Sequence, residues 1–443
     1  MKMLEFGRTL QMVNFLQTRT PLVKKIIKLM FGTLAYPESM RNSEVDWLSL
    51  PNDITCYICI KLLSIKDYII FGATCKSWQS IYIDVLARHA RPLQTQLPFL
   101  MLCPPEFRSN RDDFDYNHHT RRLYRVDENR LLGNFQISLA HHVSCTNSSH
   151  GWLIKVSPDH QVSLLNLLRS TNNEIQLAPV KGDGFNYCLV KVVLSANPAS
   201  TPKFVAMAIH NNHGQYFRRL AFFRPGDNAW TLLHYEGQIQ DIIFCRDRFY
   251  ALDDNGIVSV WDMNDAHPTM ERVLQVAQSI PTKSEYSSSK GYIVESSGNL
   301  LQVIRNIKYV NNIEPFLVIR HYFTSEFCIF KLDENRGEWI QTDNLQGCAL
   351  FLGHNSSLSL LASDFPKCRP NSIYFTDDNL TEYALRAHLG IGPYDMGIFD
   401  VKDGTIKPHY PNESIMLTSI PPPIWIEPMP AYTTAVVADM VSE

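Results

Sequence analysis

Few residues in this 443-residue chain stand at spacings that could do chemistry. Asp377 and Asp378 are adjacent carboxylates, the residue type that serves as general acid and base. Placed after an apolar run and before Asn379, they read more simply as a solvated turn. Cys56 and Cys59 form a Cys-x-x-Cys, but no second pair lies at zinc-ribbon distance. His118-His119 and His141-His142 are adjacent pairs, whose side chains would point apart on a strand. Zinc would need a third ligand that the sequence does not name, so both pairs are expected on surface loops. Gly390-Ile-Gly392 lacks the third glycine and the preceding strand of a dinucleotide fingerprint. Neither a Gly-x-Ser-x-Gly elbow, a Walker loop nor a His-Glu-x-x-His occurs. The expectation is therefore no catalytic residue, no metal and no cofactor.

Composition narrows the class. Hydrophobic content of 45% with 19% charged residues describes a globular protein long enough for two or three domains. A formal net charge of −3 gives no electrostatic case for nucleic acid. The longest apolar stretch, within Ile54 to Phe71, is broken by Lys61, Lys66 and Asp67, so no membrane span is expected. Ten cysteines without framework spacing read as buried free thiols of a reducing compartment. Asn147, Asn355, Asn379 and Asn412 each head an Asn-x-Ser/Thr sequon. Without a secretory signal these are coincidences of a Ser- and Asn-rich surface.

Two kinds of element must position whatever the chain does. Trp47 to Leu86 reads as three short helices. Pro51 can open the first, because its missing N–H is among those a helix start leaves unpaired, and Asp53 suits the positive end. Ile54, Ile58 and Leu62 then form one apolar stripe. Ser64 and Asp67 have capping-box spacing for a second helix from about Ile65 to Phe71, stopped by Gly72. Thr74 can cap a third, with Trp78, Ile81, Tyr82, Val85 and Leu86 as its apolar positions. A module of about 40 residues cannot bury that many apolar side chains alone. It either caps the rest of the chain or faces a partner.

After Arg91-Pro92 and Leu97-Pro98 the helical period stops. Short apolar runs follow: Phe99–Leu102, Trp152–Val156, Val162–Leu165, Phe204–Ile209, Leu220–Phe223, Ile242–Phe244, Ile257–Trp261, Gly291–Val294, Leu300–Ile304, Phe327–Lys331, Leu350–Leu352, Ser372–Phe375 and Gly397–Asp400. Polar turns part them, including Gly182-Asp-Gly184, Pro225-Gly-Asp-Asn228, Asp253-Asp-Asn-Gly256 and Asp403-Gly404, which predicts an all-β domain. FFRPGDNAWTLL (222–233) and IFKLDENRGEWIQT (329–342) share one plan of apolar pair, polar turn, Trp and apolar run. GIFDVKDGTIKP (397–408) repeats it with Thr405 in place of Trp. Trp230 and Trp339 stand about two kelch-length periods apart, and VSVWD (258–262) echoes the strand end of a WD-type blade. Tryptophans at repeated strand positions point to blade core more than to a recognition face. Roughly 340 residues at about 45–50 per blade predict a β-propeller of six or seven blades, with a pair of β-sandwiches as the competing architecture.

Both parts resemble known families. Leu50-Pro51, the Ile/Leu spacing after it, Leu63-Ser-Ile-Lys-Asp67 and Cys75-Lys-Ser-Trp78 are similar to an F-box, departing from it at Phe71-Gly-Ala-Thr74. KCRPNSIYFTDD (367–378), YDMGIFDVKDGTIKP (394–408) and PPPIWIEP (421–428) resemble the closing part of a plant family that joins an F-box to a KIB-type β-propeller. SSHGWLIKV and LLNLLRS fit earlier parts of that family, with Leu167 where its turn has proline. The resemblance implies a mainly β protein with a small N-terminal α module. Its divisions would be a leader and linker (1–43), F-box (44–90), propeller (95–430) and tail (431–443). It implies docking on a Skp-type adaptor, and through it a cullin, by Leu50, Pro51, Ile54, Ile58, Leu62, Ile65, Cys75 and Trp78. The propeller would then hold an unidentified protein substrate of a ubiquitin ligase, with no nucleic acid or membrane partner. The rival is a propeller-based enzyme or ligand-binding protein whose F-box regulates only its own turnover. Acidic or histidine side chains with shifted pKa values converging in the propeller channel would favour that rival.

Met1 to Tyr36 is basic and acid-poor, with Leu22, Ile26 and Leu29 on one helical face. It fits a targeting peptide or an unstructured leader. The leader is expected, with cytosol or nucleus as the location, because an organellar address would part an F-box from its ligase. Arg108–Arg122 and His267–Lys290 are the longest candidate loop insertions for a target-binding rim.

Overall fold

The computed structural model describes residues 50–61, 71, 75–88, 97–102, 118–140, 144–157, 159–166, 174–179, 187–212, 217–263, 268–274, 287–314, 317–365, 367–378, 395–409 and 423–427. They fall into two compact units, one ending at Gln96 and one spanning Leu97–Met429.

The first unit holds α1 (Asn52–Lys61) and α2 (Lys76–Arg88). Pro51 stands at the start of α1, where its carbonyl accepts the Thr55 N–H and the Thr55 hydroxyl, both at 3.0 Å. The cap of α2 is Cys75, one residue after the expected Thr74. Its carbonyl accepts the Gln79 N–H at 2.9 Å and its thiol sulfur takes the Trp78 N–H at 3.5 Å. The expected second helix lies outside the described residues except for Phe71, which is helical. Phe71 stacks on Trp78 with ring centroids 4.6 Å apart, and Ile58, Cys59, Tyr82 and Val85 are buried.

The second unit is six sheets in sequence order, numbered here as blades 1 to 6. Blade 1 has β1 (Phe99–Leu102), β2 (His118–Arg125) and β3 (Arg130–Ala140). Blade 2 has β4 (Ser144–Ser149), β5 (Trp152–Val156), β6 (Val162–Asn166) and β7 (Glu174–Leu177). Blade 3 has β8 (Tyr187–Leu194), β9 (Ala206–Asn212), β10 (Arg218–Phe223) and β11 (Thr231–Leu233). Blade 4 has β12 (Ile239–Cys245), β13 (Arg248–Asp253), β14 (Val258–Asp262) and β15 (Thr269–Leu274). Blade 5 has β16 (Ser287–Ser296), β17 (Asn299–Glu314), β18 (Leu317–Asp333) and β19 (Glu338–Thr342). Blade 6 has β20 (Cys348–Leu352), β21 (Leu358–Leu361), β22 (Ser372–Phe375), β23 (Gly397–Asp400) and β24 (Ile406–Lys407). The last strand, β25 (Ile424–Ile426), returns to blade 1 and pairs antiparallel with β1, Leu100 opposite Trp425. That pairing closes the ring, so the innermost edge of blade 1 is not left open.

Every apolar run read from the sequence falls within a strand or overlaps one, and the blade count is six. The repeated segments 222–233, 329–342 and 397–408 are the outermost hairpins of blades 3, 5 and 6. Trp230 and Trp339 therefore stand two blades apart, as their spacing suggested. Trp261 and Trp339 are buried in blade seams, and Trp230 packs against Phe223 while its indole N–H reaches the Ala178 carbonyl at 2.8 Å. The turns of the last two hairpins are built alike. Asp333 and Asp400 each accept the N–H two residues on, at 3.0 Å. Gly337 and Gly404 then close the turn onto those aspartates' carbonyls with φ of 70° and 71°.

Two expectations about loops are corrected. His118 and His119 lie on β2 rather than on a loop, opposite Ala140 and Leu139. The segments 108–122 and 267–290 contain regular structure. His118–Arg122 belongs to β2, Thr269–Leu274 is β15, and Ser287–Lys290 opens β16. His141-His142, Gly390-Ile-Gly392, Gly182-Asp-Gly184 and the basic leader lie outside the described residues.

Candidate interaction surfaces and the channel between the blades

On the helical unit, the residues expected to meet an adaptor do not share one surface. Ile58 and Trp78 are buried and serve to hold α1 and α2 together. Pro51 is exposed, Leu50 and Cys75 are half-buried, and Leu62 and Ile65 lie outside the described residues. The apolar surface that α1 presents is Pro51, Ile54 at 38% exposure and Tyr57 at 53%. The sequence stripe at i, i+4 missed Tyr57, because its exposure is set by which helix face α2 covers.

In the ring, polar side chains on the innermost strands join each blade to the next. β4, β8 and β12 each carry a bulge, and each bulge is followed at once by the joining residue: Asn147, Lys191 and Asp241. Asn147 donates its Nδ2 to the Val192 carbonyl at 2.7 Å and accepts the Val192 N–H at 3.0 Å. Lys191 forms a buried ion pair with Asp241, whose other oxygen accepts the Ile293 N–H at 2.9 Å and the Ser357 hydroxyl at 3.3 Å. Ser148 donates to the Trp425 carbonyl, and the Ser356 N–H reaches back to the Ser148 carbonyl at 2.8 Å. The segment Gly353–Ser357, between β20 and β21, thus touches blade 2 and blade 4 and lies across the channel. Asn147 and Asn355 are therefore not surface residues; both are interior. Gly353 has φ of 158°, and a side chain there would meet the Thr376 hydroxyl at 2.1 Å.

Where blade 6 meets blade 5, at the end where β16 begins and β22 ends, lies a denser cluster. Arg305 on β17 is almost wholly buried. Its Nε donates to the Thr324 hydroxyl at 2.8 Å, and Nη1 donates to the Thr376 carbonyl at 2.8 Å and to Asp378 at 2.9 Å. Nη2 donates to the Asp395 carbonyl and carboxylate, both at 2.9 Å, and the guanidinium lies 4.7 Å from the Phe375 ring centroid. Asp378 also takes Lys290 at 2.6 Å and the Tyr292 hydroxyl at 2.8 Å, while Asp377 takes the Tyr322 hydroxyl at 2.7 Å. The two aspartates expected in a solvated turn are thus both buried. Burial alone would raise the Asp378 carboxyl, but Lys290 and Arg305 beside it hold it well below the usual carboxylate range. Burial lowers the Lys290 ammonium despite Asp378, and burial with Lys290 close by pushes His354 down to about 3.

Lys191, Asp241, Arg305 and Lys290 were not singled out from the sequence. The available signal was a lone charge inside an apolar run, as in CLVKVVL, IQDIIF and LLQVIRNI, since a buried charge must find a partner. Blades 3 and 5 also bear exposed apolar side chains. The long β17–β18 hairpin sets Val310 and Phe323 outward, with Tyr309 and Tyr322 on its packed face, and Phe217 is 55% exposed before β10. Among the described residues no group of His, Cys, Asp or Glu could hold a metal ion, and no helix is long and apolar enough to cross a membrane.

A ring of six blades, antiparallel but for one strand pair and closed by β25, is a β-propeller. The family model of the KIB1-4 beta-propeller matches residues 123–400, and the chain belongs to that family. Over 426 residues it is 28% identical to the F-box protein SKIP23 of Arabidopsis thaliana, covering 86% of this chain and 96% of that one. A second F-box protein of the same plant is 25% identical over 429 residues, covering 86% and 95%.

Proposed function

We propose that this protein is the substrate-receptor subunit of a Skp–cullin–F-box ubiquitin ligase, acting in the cytosol or nucleus without chemistry of its own. The helical unit docks a Skp-type adaptor and through it a cullin, and the propeller holds a protein target. The carrying observation is the pairing of a small helical unit with an exposed Pro51, Ile54 and Tyr57 strip, next in sequence to a KIB1-4 propeller. The likeness to proteins named F-box proteins over 86% of the chain supports it. Co-purification of the full chain with a Skp-type adaptor tests the reading. Leu50→Ala with Pro51→Ala is expected to weaken capture strongly, since a few central anchors carry most of an interface. Capture that is absent in wild type, or unchanged in the double variant, refutes it.

One observation favours the rival. Asp378, Lys290 and His354 converge at the channel with displaced pKa values. Their geometry suits holding a ligand better than catalysis. Both Asp378 oxygens already take donors, and a carboxylate held so acidic is a weak general base.

A further inference from the structure

We propose that the cleft along the outer part of blade 5 is where the protein target docks, as an extended peptide with an acidic residue close to an apolar one. The cleft has a volume of about 630 Å³, within the range of ligand sites. Its base is a row set by strand register: Leu301 on β17 is opposite Lys331 on β18, which is opposite Ile340 on β19. Residues opposite one another in antiparallel strands share a face, and Leu301 is part of the seam with blade 6. Lys331 and Ile340 thus carry that seam outward, from buried Leu301 through half-buried Lys331 to Ile340 at 48% exposure. The opposing wall, Asn344 to Gln346, is held in place. The Asn344 N–H donates to the Thr342 hydroxyl at 3.2 Å, and that hydroxyl donates to the Asn344 carbonyl at 3.3 Å. The Asn344 side chain accepts the Gln346 N–H at 2.7 Å. Asn371, within the KCRPNSIYFTDD segment, accepts the Leu345 and Gly347 N–H groups at 3.0 and 3.2 Å. Walls fixed beforehand lower the ordering cost of binding.

Charge sets the first requirement on the occupant. Both acids that line the cleft are engaged, Asp333 by the Asn335 and Arg336 N–H groups and Glu334 by Arg246. Lys331 has no hydrogen bond or ion pair among the described residues. The cleft's unmatched charge is therefore positive, and a carboxylate answers it. Ile340 beside it calls for an apolar side chain. The backbone sets the last requirement. Among the described residues β19 is the end strand of its sheet, so its outer edge offers N–H and C=O groups to an added strand. A peptide paired there places alternate side chains on the face that holds Lys331 and Ile340. The assignment rests on the substrate-receptor reading and adds to it the chemistry of the segment bound.

The test selects peptides from a phage-displayed library of random short sequences on the full chain, then measures a selected peptide by calorimetry. Peptides with Asp or Glu close to an apolar residue are expected. Lys331→Glu should weaken the selected peptide about tenfold or more, as for loss of one partner of a charge pair, and selection on that variant should turn to peptides with Lys or Arg. Ile340→Ser, at an exposed position, should weaken it as well. The bound peptide should slow hydrogen exchange of the β19 amides. No enrichment, enrichment of peptides without an acid, or equal binding by wild type and variants that melt normally overturns the proposal. Neither variant should alter capture of the Skp-type adaptor, so the two readings fail separately.

Discussion

The two faces of blade 5 are covered by different chemistry. Against blade 4, Ile293, Leu300, Ile304, Phe330 and Trp339 meet Leu252, Val258 and Leu274 in an apolar layer. Against blade 6, Tyr292, Val303 and Ile329 meet Leu350, Ile373 and Phe375 in a similar layer, but the seam ends in the Arg305–Asp378–Asp395 network. Apolar burial is non-directional, so it presses blades together without choosing their relative height. Charged hydrogen bonds are directional, and a guanidinium with all its donors used has one position. The difference teaches that the seam next to the ring's irregular blade carries the denser lock, a full guanidinium network where the blade 4 seam has hydrogen bonds such as that from the Ile293 N–H to Asp241. In blade 6, β20 runs parallel to β22 and not antiparallel as elsewhere.

The comparison can be broken at several points. Arg305→Met should have the largest effect, because it leaves Asp395 buried without its cation and Asp378 with Lys290 alone. A loss of about 3–5 kcal/mol in urea unfolding is expected, and a loss below about 1 kcal/mol would show the network to be incidental. Leu252→Ala, in the apolar seam, should cost about 3 kcal/mol with the pH profile of stability unchanged. An altered profile would mean that the two seams are coupled.

Acid acts through buried histidines. Burial lowers His409, which lies against Trp425 and the Phe375 carbonyl, to about 4. The unfolded chain takes up this proton near 6.5 and the folded chain does not, so stability falls as the pH drops from 6.5 towards 4. Replacing His409 by Gln should remove about 1–2 kcal/mol of that loss between pH 6.5 and 5 in thermal or urea titrations, and an identical slope would exclude His409 as its source. Glu427, just after β25, has the opposite sign. Burial raises it to about 7, so its stability contribution is complete below about 4.5 and is lost as the pH rises through 7. Glu427→Gln should gain about 1 kcal/mol at pH 8 and nothing at pH 4.5. A gain of the same size at both pH values would point to packing instead of charge.

Local pattern made much of this fold legible. The apolar runs mark strands because a strand buried between two blades needs apolar side chains whatever its neighbours are. Asp–Gly and Asn–Gly turns mark hairpins because the backbone geometry is local. The equal plan of 222–233 and 329–342 placed Trp230 and Trp339 two blades apart. The extra parallel strand in blade 6 was not legible, since nothing in CALFL differs from an ordinary buried strand.

By itself, the sequence determined the strands, the turns, the six-or-seven-blade ring and the helical unit before it. Only the tertiary structure decided what the polar residues do. Asp377 and Asp378 have the local pattern of a solvated turn, and Asn147 and Asn355 that of surface sequons. All four are interior; Asp377, Asp378 and Asn147 have partners from far along the chain, whereas Asn355 donates to the nearby Phe351 and Ser356 carbonyls. Arg305 and Asp378 are 73 residues apart, Asn147 and Val192 45, and Ser148 and Trp425 277. A polar side chain is buried only where such a partner offsets its desolvation, and ring closure supplies that partner.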